Sequence, residues 1–86
     1  MIKNNKVIAL APGATIKEQL DERKISQKEF IVRMEMSEID INKLINGEIP
    51  LTKDIALKLE AVLRMPYQFW LNLEEIYRKK LKMIAR

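Results

Sequence analysis

Apolar residues along this chain recur three or four positions apart, the spacing that lines one face of a helix, and no alternating strand pattern persists for long. All three prolines and both glycines stand at or near breaks in that pattern: Pro12-Gly13, Gly47 with Pro50, and Pro66. The first segment, roughly residues 14–24, places Ile16 and Leu20 four apart and fills its other faces with charge. The second start is sharper. Ser26 and Glu29 make a Ser-x-x-Glu capping box, and Ile25 and Phe30 occupy the two positions of a hydrophobic staple. This predicts a helix from Gln27 to about Met34.

The same signal recurs eleven residues later, with Ser37 and Asp40 as the box and Met36 and Ile41 as the staple. The helix that starts near Glu38 should end at Asn46-Gly47, where glycine can take the left-handed conformation. Thr52 caps a fourth helix carrying Ile55, Leu59, Val62 and Leu63. Pro66 suits the first position of a fifth, running to about Met83 with Phe69, Trp70, Leu73, Ile76, Tyr77 and Leu81 along one side. Two helices of about eight residues around a three-residue turn have the lengths of a helix-turn-helix, although many small bundles would give the same punctuation.

Composition narrows the chemistry. At 86 residues there is room for one domain, and a chain this short gains from a partner. It has no cysteine and no histidine, which removes disulfides, thiolate chemistry and the commonest general base and metal ligand. Glu74 and Glu75 are neighbours on a helix and diverge by about 100°, so they make no paired acid-base site. There is no Gly-rich phosphate loop and no nucleophile motif. We therefore expect no cofactor and no enzymatic activity. The five apolar residues Val7 to Ala11 are too few for a signal-peptide core or a membrane span, so a cytoplasmic protein is expected.

The net charge of +4 is unevenly placed. Residues 76–86 carry five basic groups and no acid, whereas residues 1–75 hold eleven basic groups against twelve acidic ones. Contacts between the body of the domain and phosphates must then be local rather than the effect of a broad field. Lys79, Lys80 and Lys82 read by default as a solvated helix end; a nucleic-acid tail or a partner patch are the alternatives.

Ile25-Ser26-Gln27-Lys28-Glu29-Phe30, Met36-Ser37, Leu44-Ile45-Asn46-Gly47, Ala56-Leu57-Lys58-Leu59-Glu60 and Phe69-Trp70-Leu71-Asn72-Leu73 together resemble the HigA branch of the xenobiotic-response-element helix-turn-helix family. The resemblance covers about residues 12–78. It implies an all-α, five-helix, lambda-repressor-like domain: residues 1–13 an arm, 14–83 the domain with the motif at about 27–46, and 84–86 a basic tail. It also implies an antidote of a toxin-antitoxin module that represses its own operon, with operator DNA and a toxin protein as partners. Similar domains occur as modules of larger regulators. A third reading is a scaffold that has lost DNA binding and acts through protein contacts.

By the same resemblance the third helix enters the major groove and the start of the second touches the backbone. The candidate DNA contacts are Gln27, Lys28, Ser37, Ile39, Asn42, Lys43 and Asn46. Ile41, Leu44 and Ile45 form a core set, which leaves Ile39, Asn42, Lys43 and Asn46 outward with Asp40 beside them. Asn42 suits adenine, Lys43 guanine or a phosphate, and Ile39 a thymine methyl. Three departures stand out. Relatives often carry basic or small polar groups where this chain has Glu38, Ile39 and Asp40, acids that repel phosphate but suit a helix start. They usually have alanine in place of Ile31. They have glycine in place of Glu35 and Arg64, where a side chain in the left-handed region costs about 1 kcal/mol.

Phe69, Trp70 and Tyr77 read as core before they read as a base-stacking platform. With Leu73 they nevertheless make a stripe wider than four short helices should cover, and Leu71 lies off it. We expect Phe69, Trp70, Leu71, Leu73 and Tyr77 to contribute to a homodimer interface, which would place two recognition helices one DNA turn apart.

Overall fold

A computed structural model describes residues 10–84, and within them five helices and no strands. The helices are α1 (Pro12–Arg23), α2 (Gln27–Met34), α3 (Glu38–Ile45), α4 (Lys53–Leu63) and α5 (Tyr67–Ile84). The boundaries of α2 and α3 follow from their caps. Ser26 Oγ accepts from the Glu29 amide at 3.0 Å, and Ser37 Oγ from the Asp40 amide at 3.1 Å. Each box is closed from one side: the Glu29 carboxylate turns along the helix to Arg33. Thr52 does for α4 what the serines do, accepting from the Ile55 amide at 3.3 Å.

The helix α1 begins two residues earlier than the Pro-Gly pair suggests. Proline lacks the amide that a first turn cannot use, so Pro12 opens the helix rather than blocking it. Gly13 is buried against the end of α3, where a Cβ would fall inside the carbonyl of Ile45. At the other end of the chain α5 starts at Tyr67, one residue past Pro66. Its free Tyr67 amide is met from a distance by the Glu60 carboxylate of α4, at 3.3 Å.

Four joints separate the helices, and three turn through a non-glycine residue at positive φ: Lys24, Glu35 and Arg64. The fourth uses Gly47 at φ 77, closed by amide bonds from Gly47 to Leu44 and from Glu48 to Lys43, the Schellman pattern. Gly47 is also short of space, because a Cβ there would come within 2.7 Å of Tyr77 Oη and 2.9 Å of Ala11 Cβ.

The core is built from one face of every helix. Ile16, Phe30, Met34, Ile41, Leu59, Leu63 and Trp70 are fully enclosed, and among the described residues no polar or charged one is buried with them. Of the helices in the motif, α2 packs on α4 and α3 on α1, while α5 packs on α4 and α1. The pair α2 and α3 is thus held from two sides by different neighbours. Ile31, Ile45 and Met36 rest partly buried on the core edge.

Candidate nucleic-acid interface

The surface made by α2, the turn and α3 follows from the burial of α3. With Ile41 and Leu44 enclosed and Ile45 half-buried, rotation of about 100° per residue puts Ile39 and Asn46 directly opposite the core. Lys43 and Asn42 lie to either side of that line, and all four are exposed. Glu38 and Asp40 diverge by about 100° to left and right of Ile39, so both acids face sideways from the tip. Ile39 itself is 66 % exposed.

Gln27 opens α2 on the same surface. Its Nε2 donates to Asn42 Oδ1 at 2.7 Å, joining two side chains fifteen residues apart. The bond engages Asn42 Oδ1 and leaves its NH2 group without a partner among the described residues. Lys28 is exposed beside Gln27, and the Ser37 oxygen is engaged at the cap while its hydroxyl hydrogen stays available. Gln27, Lys28, Ile31, Val32 and Glu38 line a shallow groove of about 330 Å³ between the two helices. The charge on this surface is balanced: Lys28 and Lys43 against Glu38 and Asp40, with Glu29 and Arg33 neutralising each other. An anion gains little from such a surface as a whole, and only from particular donors on it.

The candidate interface residues of α5 separate into two sets. Trp70 is wholly enclosed by a single chain, edge-on to Phe69 at 5.1 Å between ring centres, so it belongs to the core and is withdrawn from any partner. Its indole Nε1 is buried without a hydrogen-bond partner among the described residues. Phe69, Leu71 and Leu73 are half-buried on the core edge. Tyr77 is half-buried too, under the Arg78 guanidinium at 5.0 Å and against Gly47. Arg78 bonds Glu74 at 2.6 Å and the Ile49 carbonyl at 3.3 Å, which ties the second half of α5 to the joint after α3. The residues left open are Ile76, Met83 and Ile84, each more than half exposed. Ile76 borders a second shallow groove of about 220 Å³ shared with Leu10, Pro12, Leu73 and Tyr77.

Among the described residues no cluster of three or more carboxylates could hold a metal ion, and no helix is long and apolar enough to cross a membrane. The sequence alone did not join Gln27 to Asn42 or Glu60 to Tyr67. Neither link leaves a local signal, because both span helices that meet only in the fold.

No family model matches the chain. Over 66 residues, 77 % of this chain and 70 % of the other, it is 38 % identical to the HTH-type transcriptional regulator YddM of Escherichia coli. The chain belongs to the helix-turn-helix transcriptional regulators. Within this family its fold is that of HigA proteins. An addiction-module antidote of the HigA family from Coxiella burnetii superposes with a TM-score of 0.79 at 26 % identity, covering 93 % of this chain and 86 % of that one. The antitoxin HigA of Pseudomonas aeruginosa, solved with the higBA promoter, gives 0.82 at 24 % identity over 91 % and 86 % of the two chains, which establishes the shared fold. For a helix-turn-helix regulator, the surface of α2 and α3 is the one that bears on nucleic acid.

Proposed function

We propose that this regulator is a DNA-binding antitoxin and autorepressor that lays α3 in the major groove of its operator. The observation that carries the reading is the Gln27–Asn42 bond, which brings the start of α2 and the outward face of α3 into one surface. Free amides at the start of α2, with Gln27 and Lys28, suit a phosphate oxygen. Ser37 is a second backbone contact, and Asn42, Lys43, Ile39 and Asn46 point to base edges. The antitoxin role rests on the fold and sequence shared with the Coxiella antidote, and it brings a toxin protein as the second partner.

Its weak charge balance predicts how the domain binds. With two lysines on the surface opposed by two acids, affinity for one site should be low and its salt dependence shallow, each phosphate neutralised adding about −0.9 to the slope of log K against log salt. The experiment is selection of duplexes from a randomised library by the full chain, followed by titration of the recovered duplex at several salt concentrations. A preferred sequence bound with a slope of only a few units is the expected result.

Two copies would compensate for that weakness by binding adjacent half-sites. We place the homodimer contact on the open half of α5 rather than around Trp70: Ile76, Leu73 and Tyr77 with the edge residues Phe69 and Leu71. Light scattering at tens of micromolar should give twice the mass of one chain, and Ile76→Glu should return it to one.

The sideways acids favour a second reading, in which the motif serves only protein contacts. Glu38 and Asp40 are both exposed, and neither is in an ion pair among the described residues. A library that yields no preferred duplex at low salt would decide for it.

A further inference from the structure

We infer that Ile39 sets the base preference of this domain by packing on a pyrimidine C5-methyl group in the major groove; the inference rests on the DNA-binding reading above. When such a helix enters the groove its N-terminal residues meet the base edges, and the one on the first turn of α3 directly opposite the core is Ile39. Here that residue has no polar atom. Ile39 is 66 % exposed, its neighbours one turn on are Asn42 and Lys43, and it lies outside the apolar cluster of the fold. A β-branched side chain in the open first turn of a helix adds nothing to helix propensity either. The fold gains nothing from isoleucine at this position.

The flanking groups leave guanine without a donor at this turn. Glu38 and Asp40 offer only acceptors, and the floor of the groove at guanine presents N7 and O6, also acceptors. Purine recognition by donors begins one turn later, with the free NH2 of Asn42 and with Lys43. For the Ile39 side chain the favourable partner is an apolar one, and in the major groove that is a methyl group on C5 of a pyrimidine. Thymine carries it in every sequence, and 5-methylcytosine carries it in modified DNA. A neighbouring amino group on cytosine or adenine would in addition satisfy one of the two acids.

The test uses the full chain and the duplex recovered from the randomised library, with each thymine replaced singly by uracil, which removes only the methyl. At one position of each half-site uracil should weaken binding about fourfold, the burial free energy of one methyl group converted to a ratio. Ile39→Ala, a change at an exposed site that leaves the helix content intact by circular dichroism, should bind thymine and uracil alike. Asn42→Ala should keep the difference while binding more weakly. At the same position a cytosine and a 5-methylcytosine duplex separate the two sources of the methyl, the methylated one binding more tightly. Equal binding of both pairs would overturn the inference, and so would an Ile39→Ala protein that still tells thymine from uracil. In either case the DNA-binding reading would stand. It falls only if the library yields no preferred duplex.

Discussion

Two exposed apolar regions of this molecule, one on α3 and one on α5, differ in kind. On α3 a single isoleucine stands among polar groups, on a helix closed at its start by Ser37 and at its end by Gly47 and held from behind by α1. On α5 the open residues Ile76, Met83 and Ile84 continue the stripe that Trp70 and Leu73 begin. One is an isolated group at the tip of a fixed element, the kind of feature that touches a ligand at a point. The other is the part of an amphipathic face that the domain's own core runs out before covering, a shape that another protein surface fits.

The contrast is sharpest in stability. Trp70→Ala should destabilise the domain by about 3–5 kcal/mol, the usual cost of removing a large enclosed side chain. Ile76→Ala, on the same helix less than two turns away, should cost under about 0.5 kcal/mol in a single chain. Urea denaturation at low protein concentration compares the two. A loss at Ile76 that grows with protein concentration would show that a second copy covers it.

Asn42→Ala should act in the opposite sense, leaving the urea midpoint within about 0.5 kcal/mol of the parent while weakening the selected duplex by about 1–3 kcal/mol and random DNA hardly at all. Equal weakening on both DNAs would mean that Asn42 positions the helix without reading a base.

A smaller effect concerns the turn between α2 and α3. Glu35 sits at φ 56, and Glu35→Gly should raise stability by up to about 1 kcal/mol by relieving the left-handed backbone, less whatever glycine adds to the freedom of the unfolded chain. The thermal midpoint reads this directly, and a fall would mean that the glutamate is worth more to the turn than its strain costs.

The fold was largely legible because its signals are local. Two Ser-led caps, their staples and an Asn-Gly end fix α2 and α3 to the residue, whereas the left-handed ends at Glu35 and Arg64 were legible only through the resemblance, whose members usually have glycine there. What escaped depends on chain segments that meet only after folding. The start of α1 looked like a break because Pro12-Gly13 usually is one. The stripe on α5 gave no hint of where burial stops, since Trp70 and Ile76 carry the same periodic signal and only the reach of α1 and α4 distinguishes them. The helical wheel of α3 gave the outward positions of its residues, but the bond that orients Asn42 comes from α2.

Gly13 gives that arrangement a particular kind of permanence. Where α1 meets the Ile45 carbonyl there is no side chain between the two backbones, and so no rotamer to relax and no volume that a neighbouring change could repack. The joint behaves like a welded seam in a frame otherwise bolted together by interchangeable leucines and isoleucines. Residues on the outer face of α3 can then be exchanged without disturbing the pose that presents them, because that pose is held on the inner face by a position that admits only hydrogen.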